Sequence, residues 1–344
     1  MQRPFPALRH LQLWLQPSRP WAGPMQVAPD SFLGGSAPHL QTLSLCRIPF
    51  PGLLELLLSA PHLQVVCLDL WDISHTGYIS PDTMLTYLSV LTRLEKLKIG
   101  FENSPGRDDR KSGRSLPLTR SLLLVLTMFQ FKGDSEYLEN LLVGIGVPLL
   151  DELDIVFFHR TTLSTPQLTQ LISRTTQLMG LDRACFKFDS SAGSRRTPLL
   201  TFGNSLNYGI SGGHSHSRVW ALVRACSSSV PPALVSRVKF LRILEEGPWL
   251  SNWKRHIERN QWVQLLHPFT DVEGLYLSNG FVPIILSILR ELVGERGIEV
   301  LPALQTLFLE GGLGTAEEDI RQFVVARQLV HHPITVSGYD PKDA

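Results

Sequence analysis

Apolar residues recur along the chain in one phrase: an aliphatic, two variable residues, a second aliphatic, one variable residue and a third aliphatic. It reads PALRHLQL (Leu8, Leu11, Leu13), PHLQTLSL (Leu40, Leu43, Leu45) and PALQTLFL (Leu304, Leu307, Leu309). Looser copies are PHLQVVCL (Leu63, Val66, Leu68), TRLEKLKI (Leu94, Leu97, Ile99) and LVLTMFQF (Leu126, Phe129, Phe131). PLLDELDI (Leu150, Leu153, Ile155), SRVKFLRI (Val238, Leu241, Ile243) and TDVEGLYL (Val272, Leu275, Leu277) follow, with a weaker copy from Leu178. The last two apolar positions stand two apart, the period of a strand buried on one face, so each phrase predicts a strand. The stretches between phrases carry helix-start signals. Asp134 precedes SEYLENLL, Thr165 places a capping hydroxyl before Pro166, and Thr315 to Glu318 form a capping box ahead of Asp319–Leu329.

Successive phrases begin 23 to 34 residues apart, apart from one gap of 60 between Leu178 and Val238 that leaves room for a further unit around Leu206–Ile210. These spacings bracket the leucine-rich repeat, one strand and one helix per unit. A strand followed by a helix and a strand in the same sense requires a parallel sheet, and right-handed crossovers curl it into a solenoid. The expected fold is therefore α/β: a leucine-rich-repeat solenoid with a curved parallel sheet and its helices on the convex side. No unit can bury its leucines alone, so residues 1–344 are expected to form a single domain of about ten irregular units sharing one core. The usual Asn or Cys after the last leucine is replaced by Ile48, Trp71, Glu102, Phe158 and Gly312, so the repeats are expected to vary in length and curvature. The polar stretch 105–115 (PGRDDRKSGRS) reads as a flexible loop inserted between units.

Parity then selects a candidate surface. If the second and third aliphatics of each phrase enter the core, their neighbours line the concave face. Among these, Trp14, Asp69, Lys96, Lys98, Glu152, Asp154, Tyr276 and Phe308 are the candidate protein-binding residues. They mix aromatics with charges of both signs, as recognition surfaces do.

The rest of the composition removes other functions. Lys plus Arg number 32 against 31 Asp plus Glu, so no basic surplus draws the chain to nucleic acid or to an anionic membrane. Apolar runs such as Ser121–Phe131 and Phe281–Leu289 are too short to span a bilayer. Cys46, Cys67, Cys185 and Cys226 form no CxxC pair and no disulfide framework, and no signal-peptide stretch opens the chain, which points to an intracellular protein, cytoplasmic or nuclear.

Other motifs offer little chemistry. Gly209-Ile-Ser211-Gly-Gly213 matches the GxSxG of serine hydrolases and supplies the alternative reading, an enzyme with Ser211 as nucleophile. No oxyanion motif lies upstream, and the stretch reads as a glycine-rich turn between repeat elements. His214 and His216, and the pair His331–His332, lack zinc spacing and read as loop histidines. Cys46 and Cys67 read as small packing residues. Trp249, Trp253 and Trp262 are either a partner-binding patch or, as the helical spacing favours, a core stripe. No catalytic residue, metal or cofactor is expected.

The degenerate repeats resemble the leucine-rich-repeat region of fungal, mushroom-type F-box proteins. The C-terminal third carries the likeness in WVQLLHPFT (Trp262–Thr270), VEGLYL (Val272–Leu277), EVLPALQTLFLE (Glu299–Glu310), FVVARQL (Phe323–Leu329) and HPIT (His332–Thr335). FKG at Phe131–Gly133 and EYLE at Glu136–Glu139 are similar to the same family. The resemblance implies a repeat domain that holds the substrate of a ubiquitin ligase, while an N-terminal F-box docks on a Skp1-type adaptor and partner subunits supply catalysis. No F-box precedes Leu8, so the chain is expected to be a fragment, engaging the adaptor only if that box exists elsewhere in the gene; a non-functional truncated paralogue is a third reading.

Overall fold

The structure is a computed structural model. It describes residues 5–15, 27–29, 32–48, 50–70, 79–101, 121–158, 165–189, 199–203, 205–211, 223, 226, 230–246, 259–292, 300–311 and 317–339. The 105–115 loop, Trp249, Trp253, His214, His216 and the Thr315 capping hydroxyl lie outside the described residues. The chain is α/β and divides into two compact units, one of residues 1–158 and 165–171, the other of 159–164 and 172–344.

In the first unit the strands β1 (His10–Trp14), β2 (Thr42–Cys46), β3 (Val65–Leu70) and β4 (Lys96–Phe101) lie side by side in chain order. A two-residue β5 (Ser121–Leu122) precedes β6 (Met128–Gly133), and a two-residue β7 (Ile145–Gly146) precedes β8 (Glu152–Phe158). β4 pairs β6 and β6 pairs β8, and every pairing in this row is parallel. The register matches phrase to phrase: Leu43 faces Val66, Val66 faces Leu97, Leu97 faces Phe129 and Phe129 faces Leu153.

The three apolar positions of each phrase from Leu40 to Ile155 are at most 2% exposed. Each such side chain contributes about 1.5–3 kcal/mol relative to leaving it in water. Leu8, Leu11 and Leu13 of the first phrase are only half-buried. In the phrases from Leu40 to Leu126 a fourth position, three residues before the first aliphatic, is also closed: Ala37, Ala60, Leu91 and Leu123 are buried, and each carbonyl accepts from the N–H of the first aliphatic. The residue after that aliphatic then binds two amides of the next strand: the Arg9 carbonyl takes the N–H of Gln41 and Thr42, Gln41 those of Gln64 and Val65, and Gln64 those of Glu95 and Lys96. This forked bond recurs in the second unit, where the Asp182 carbonyl takes the N–H groups of Lys239 and Phe240, Lys239 those of Glu273 and Gly274, and Glu273 those of Gln305 and Thr306.

Helices Leu53–Leu58, Pro81–Val90 and Ser135–Gly144 contact one another in the same order as the strands. Pro81 opens the second of them behind Ser80, whose Oγ accepts from the Thr83 N–H at 3.2 Å. Tyr137 of the third lies 5.8 Å from the Phe131 ring and 5.2 Å from Phe101, so the helices cover the leucine face of the strands. Gly144 permits close helix packing, because a Cβ there would land on both terminal methyls of Leu85. The expected Thr165 cap is replaced. The helix Pro166–Arg174 takes its cap from Glu139 of the neighbouring helix, whose carboxylate accepts from Gln167 N–H at 2.8 Å and Leu168 N–H at 3.0 Å. Burial raises the Glu139 pKa and these two bonds lower it, with burial the larger.

In the second unit the strands run in the order β11 (Leu206–Ser211), β10 (Leu199–Phe202), β9 (Arg183–Asp189), β12 (Phe240–Glu246), β13 (Gly274–Leu277), β14 (Thr306–Glu310) and β15 (Thr335–Tyr339). β9, β12, β13, β14 and β15 are parallel neighbours, whereas β10 is antiparallel to both β9 and β11. The 60-residue gap in the phrase therefore holds an antiparallel hairpin. Register also moves the weak copy: Ala184 faces Leu241 and Phe186 faces Ile243, so the phrase starts at Leu181 and Leu178 is its buried preceding position. Helices Arg259–Leu266, Val282–Leu292 and Glu317–Leu329 pack in series. Trp262 is fully buried against Phe188 and Phe281, which settles the tryptophan stripe as core at this position.

Candidate functional site

Strand alternation divides each unit's sheet into a buried leucine face and an opposite face, on which no helix packs among the described residues. In the first unit, register aligns Lys96 with Met128 and Glu152, and Cys67 with Lys98, Gln130 and Asp154. A third rung joins Trp14, Cys46, Asp69, Gly100 and Lys132. Trp14, Asp69, Lys96, Lys98, Glu152 and Asp154 thus share one face, with Trp14 at 64% exposure and Lys96 and Glu152 exposed. Tyr276 and Phe308 form the equivalent face of the second unit.

The charged rungs are organised around Lys98. Its ammonium is 3.7 Å from Asp69 Oδ2, and a Cβ on Gly100 would stand 2.9 Å from Asp69 Oδ1, so glycine makes room for that carboxylate. The partly exposed ion pair is worth about 0–1 kcal/mol, too little to account for its placement by stability. Burial raises the Asp154 pKa and Lys98 pulls it down, with burial dominant. Cys46 and Cys67 stand on this open face, outside the leucine core, and both are half-buried. Burial first, and Asp69 in part, raise both thiols, which keeps them protonated and poor nucleophiles.

Because the fold holds the Asp154 proton more tightly than the unfolded chain does, ionising it costs stability as pH rises through the carboxylate range, and the cost vanishes below that range. Asp154→Asn is expected to raise the melting temperature near neutral pH and to leave it unchanged at about pH 3. Thermal circular dichroism at the two pH values checks this; an equal shift at both would remove the titration as its cause.

The second face is aromatic and cationic. The Tyr276 and Phe308 rings stack at 4.1 Å with an 8° interplanar angle, Tyr339 meets Tyr276 edge-on at 5.3 Å, and the Arg242 guanidinium lies 5.1 Å from the Tyr276 centroid. Phe240, with Arg183 5.7 Å from its ring centroid, closes over Gly274, where a Cβ would meet Phe240 at 2.8 Å and Phe308 at 3.3 Å. The Tyr339 hydroxyl is buried with no hydrogen-bond partner among the described residues, and burial, aided by Glu310, pushes its pKa up to about 12. Arg183, Phe240, Arg242 and Tyr339 were absent from the sequence-derived set. Parity around Leu241 in SRVKFLRI signals Phe240 and Arg242, whereas Arg183 and Tyr339 sit on strands whose phrases are degraded.

Among the described residues no group of three or more His, Cys, Asp or Glu gathers as a metal would need. Ser211 closes β11, and the Gly212–Gly213 half of its motif lies outside the described residues, as does the placement of its side chain. His331 is exposed and His332 half-buried, the latter donating its N–H to the Arg327 carbonyl. Among the described residues no helix is long and apolar enough to cross a membrane.

No protein-family model matches the chain, and no curated protein matches it. Among solved structures the chain is similar to the crystal structure of the Rad7 and Elc1 complex in yeast, at 13% identity over 79% of this chain and 76% of that one, with a TM-score of 0.23. A likeness of that size carries no argument about fold or function.

Proposed function

We propose that the chain is a protein-recognition module, a leucine-rich-repeat solenoid whose strand face opposite the leucine core grips a protein, and that it serves as the substrate-recruiting part of an F-box-type ubiquitin ligase subunit. The observation that carries the recognition reading is the division of each strand. One side is closed aliphatic core, while the other is an ordered array of Lys98, Asp69, Asp154 and Trp14 in one unit and Arg242, Tyr276 and Phe308 in the other. Surfaces rich in tyrosine, tryptophan and arginine supply most of the binding energy at protein interfaces. Catalysis is assigned to partner subunits, and a Skp1-type adaptor would be engaged only through an F-box. The ligase assignment rests on the sequence resemblance.

Photo-crosslinkers placed at Lys98 and at Tyr276 are expected to capture the same cellular protein, and one placed on the outer helix at Arg321 is expected not to capture it. Lys98→Glu combined with Tyr276→Ala should then weaken binding of that purified protein by at least about 100-fold, two interface anchors at roughly tenfold each. Capture mainly through Arg321 would overturn the face as the binding surface. Labelling by a fluorophosphonate that disappears in Ser211→Ala would instead favour the hydrolase.

A further inference from the structure

At the N-terminal ends of β1 to β4 lies a cleft of about 210 Å³ lined by Arg9, His39, Gln41, His62, Gln64 and Arg93. It is separate from the strand face and comes from two positions of the repeated phrase. The residues before the first aliphatic give His39, His62 and Arg93; those after it give Arg9, Gln41 and Gln64. The forked hydrogen bonds through the Arg9, Gln41 and Gln64 carbonyls fix the backbone beneath them. The next two phrases put Val125 and Thr127, then Leu149 and Asp151, at the same positions, so the repeat geometry does not itself demand these side chains.

The chemistry of the lining is one-sided. Two guanidiniums, two imidazoles and two carboxamides face the cleft, and among the described residues no carboxylate lines it. Glu95, exposed, takes the next position of the same row of the repeat. Arg93 Nη1 lies 3.5 Å from His62 Nδ1. Neighbouring strands stand about 4.8 Å apart, so Arg9 and Arg93 start about 14 Å from each other and bracket the cleft from opposite ends. A cleft lined by one sign of charge raises the local concentration of the opposite ion. These donors exceed what the two oxygens of a carboxylate can accept, whereas a dianionic phosphoryl group offers three oxygens and matches the arginine fork.

We propose that this cleft is a phosphoryl-binding site, taking the dianionic phosphate of a monoester. Isothermal titration of the full chain with inorganic phosphate, O-phosphoserine and serine tests it. Both phosphates are expected to bind saturably with one-to-one stoichiometry, and serine not at all. Arg9→Ala and Arg93→Ala should each weaken binding at least about tenfold, Arg93→Lys less, and Arg321→Ala in the second unit not at all. Circular dichroism confirms that each exposed-site variant is folded. A phosphoserine peptide that binds more tightly than inorganic phosphate identifies a phosphorylated protein as the source. Equal affinity identifies a free phosphate compound; either result supports the site. Absence of saturation with every phosphate, or equal weakening by Arg321→Ala and Arg93→Ala, overturns it.

Discussion

Trp262→Ala is expected to lower the stability of the second unit by about 3–5 kcal/mol, the cost of truncating a fully buried indole in a core that cannot collapse around the gap. The indole is fully buried, with ring centroids 6.0 Å from Phe188 and 5.7 Å from Phe281, and those two phenyls are 5.2 Å from each other. The three rings come from β9, the helix Arg259–Leu266 and the turn just before the helix Val282–Leu292, so removing the central one loosens three segments together. Aromatic pairs of this geometry add about 0.5–1.5 kcal/mol beyond their buried area. Trp262→Phe is expected to cost much less than the alanine change, since it keeps a ring and removes an Nε1 donor that has no partner among the described residues. Urea unfolding of both variants, followed by near-ultraviolet circular dichroism, measures the difference. A loss below about 1 kcal/mol for Trp262→Ala would place the indole outside the core.

What could be read in advance followed from how strictly each physical constraint repeats. The phrase located β2, β3, β4, β6, β8, β12, β13 and β14 because a strand buried on one face must alternate, and its burial was anticipated residue by residue from Leu40 onward. The fourth buried position escaped notice because Ala37, Ala60 and Leu91 share only smallness or apolarity, and the turn that closes them is a backbone bond. The hairpin of β10 and β11 was invisible for a related reason: antiparallel pairing there follows from a local reversal, not from the long-range repeat. Parity placed Lys96, Lys98, Glu152 and Asp154 on one face, since register in a parallel sheet carries each choice to the next strand. The chosen set passed over Arg242, although parity around Leu241 signals it, and Tyr339, whose strand carries a degraded phrase; hydrophobicity alone could not say that Cys46 and Cys67 stand on the open side. Glu139 capping a helix 28 residues downstream has no local signature at all.

Arg327→Ala is expected to cost about 2–4 kcal/mol, combining the cavity left by the side-chain stem with a stranded carbonyl acceptor. Arg327 shares a helix face with Ile320 and Phe323 at core spacing, and it is 3% exposed although it is charged. Its Nη2 donates to the Leu304 carbonyl at 2.9 Å, tying the last turn of the helix to the segment leading into β14, while Nε has no partner among the described residues. Burial lowers its pKa from the usual guanidinium value, which is the signature of a cation that costs free energy to bury. Among the described residues no carboxylate forms an ion pair with it, so the hydrogen bond and the packed stem must offset that desolvation. Arg327→Met separates the two contributions: the stem is kept and the buried charge disappears, leaving only the Leu304 carbonyl unpaired. The methionine variant is expected to lose no more than about 1–2 kcal/mol, less than alanine, when both are unfolded in urea. If methionine proves as damaging as alanine, the guanidinium bond and not the stem anchors the final helix to the sheet.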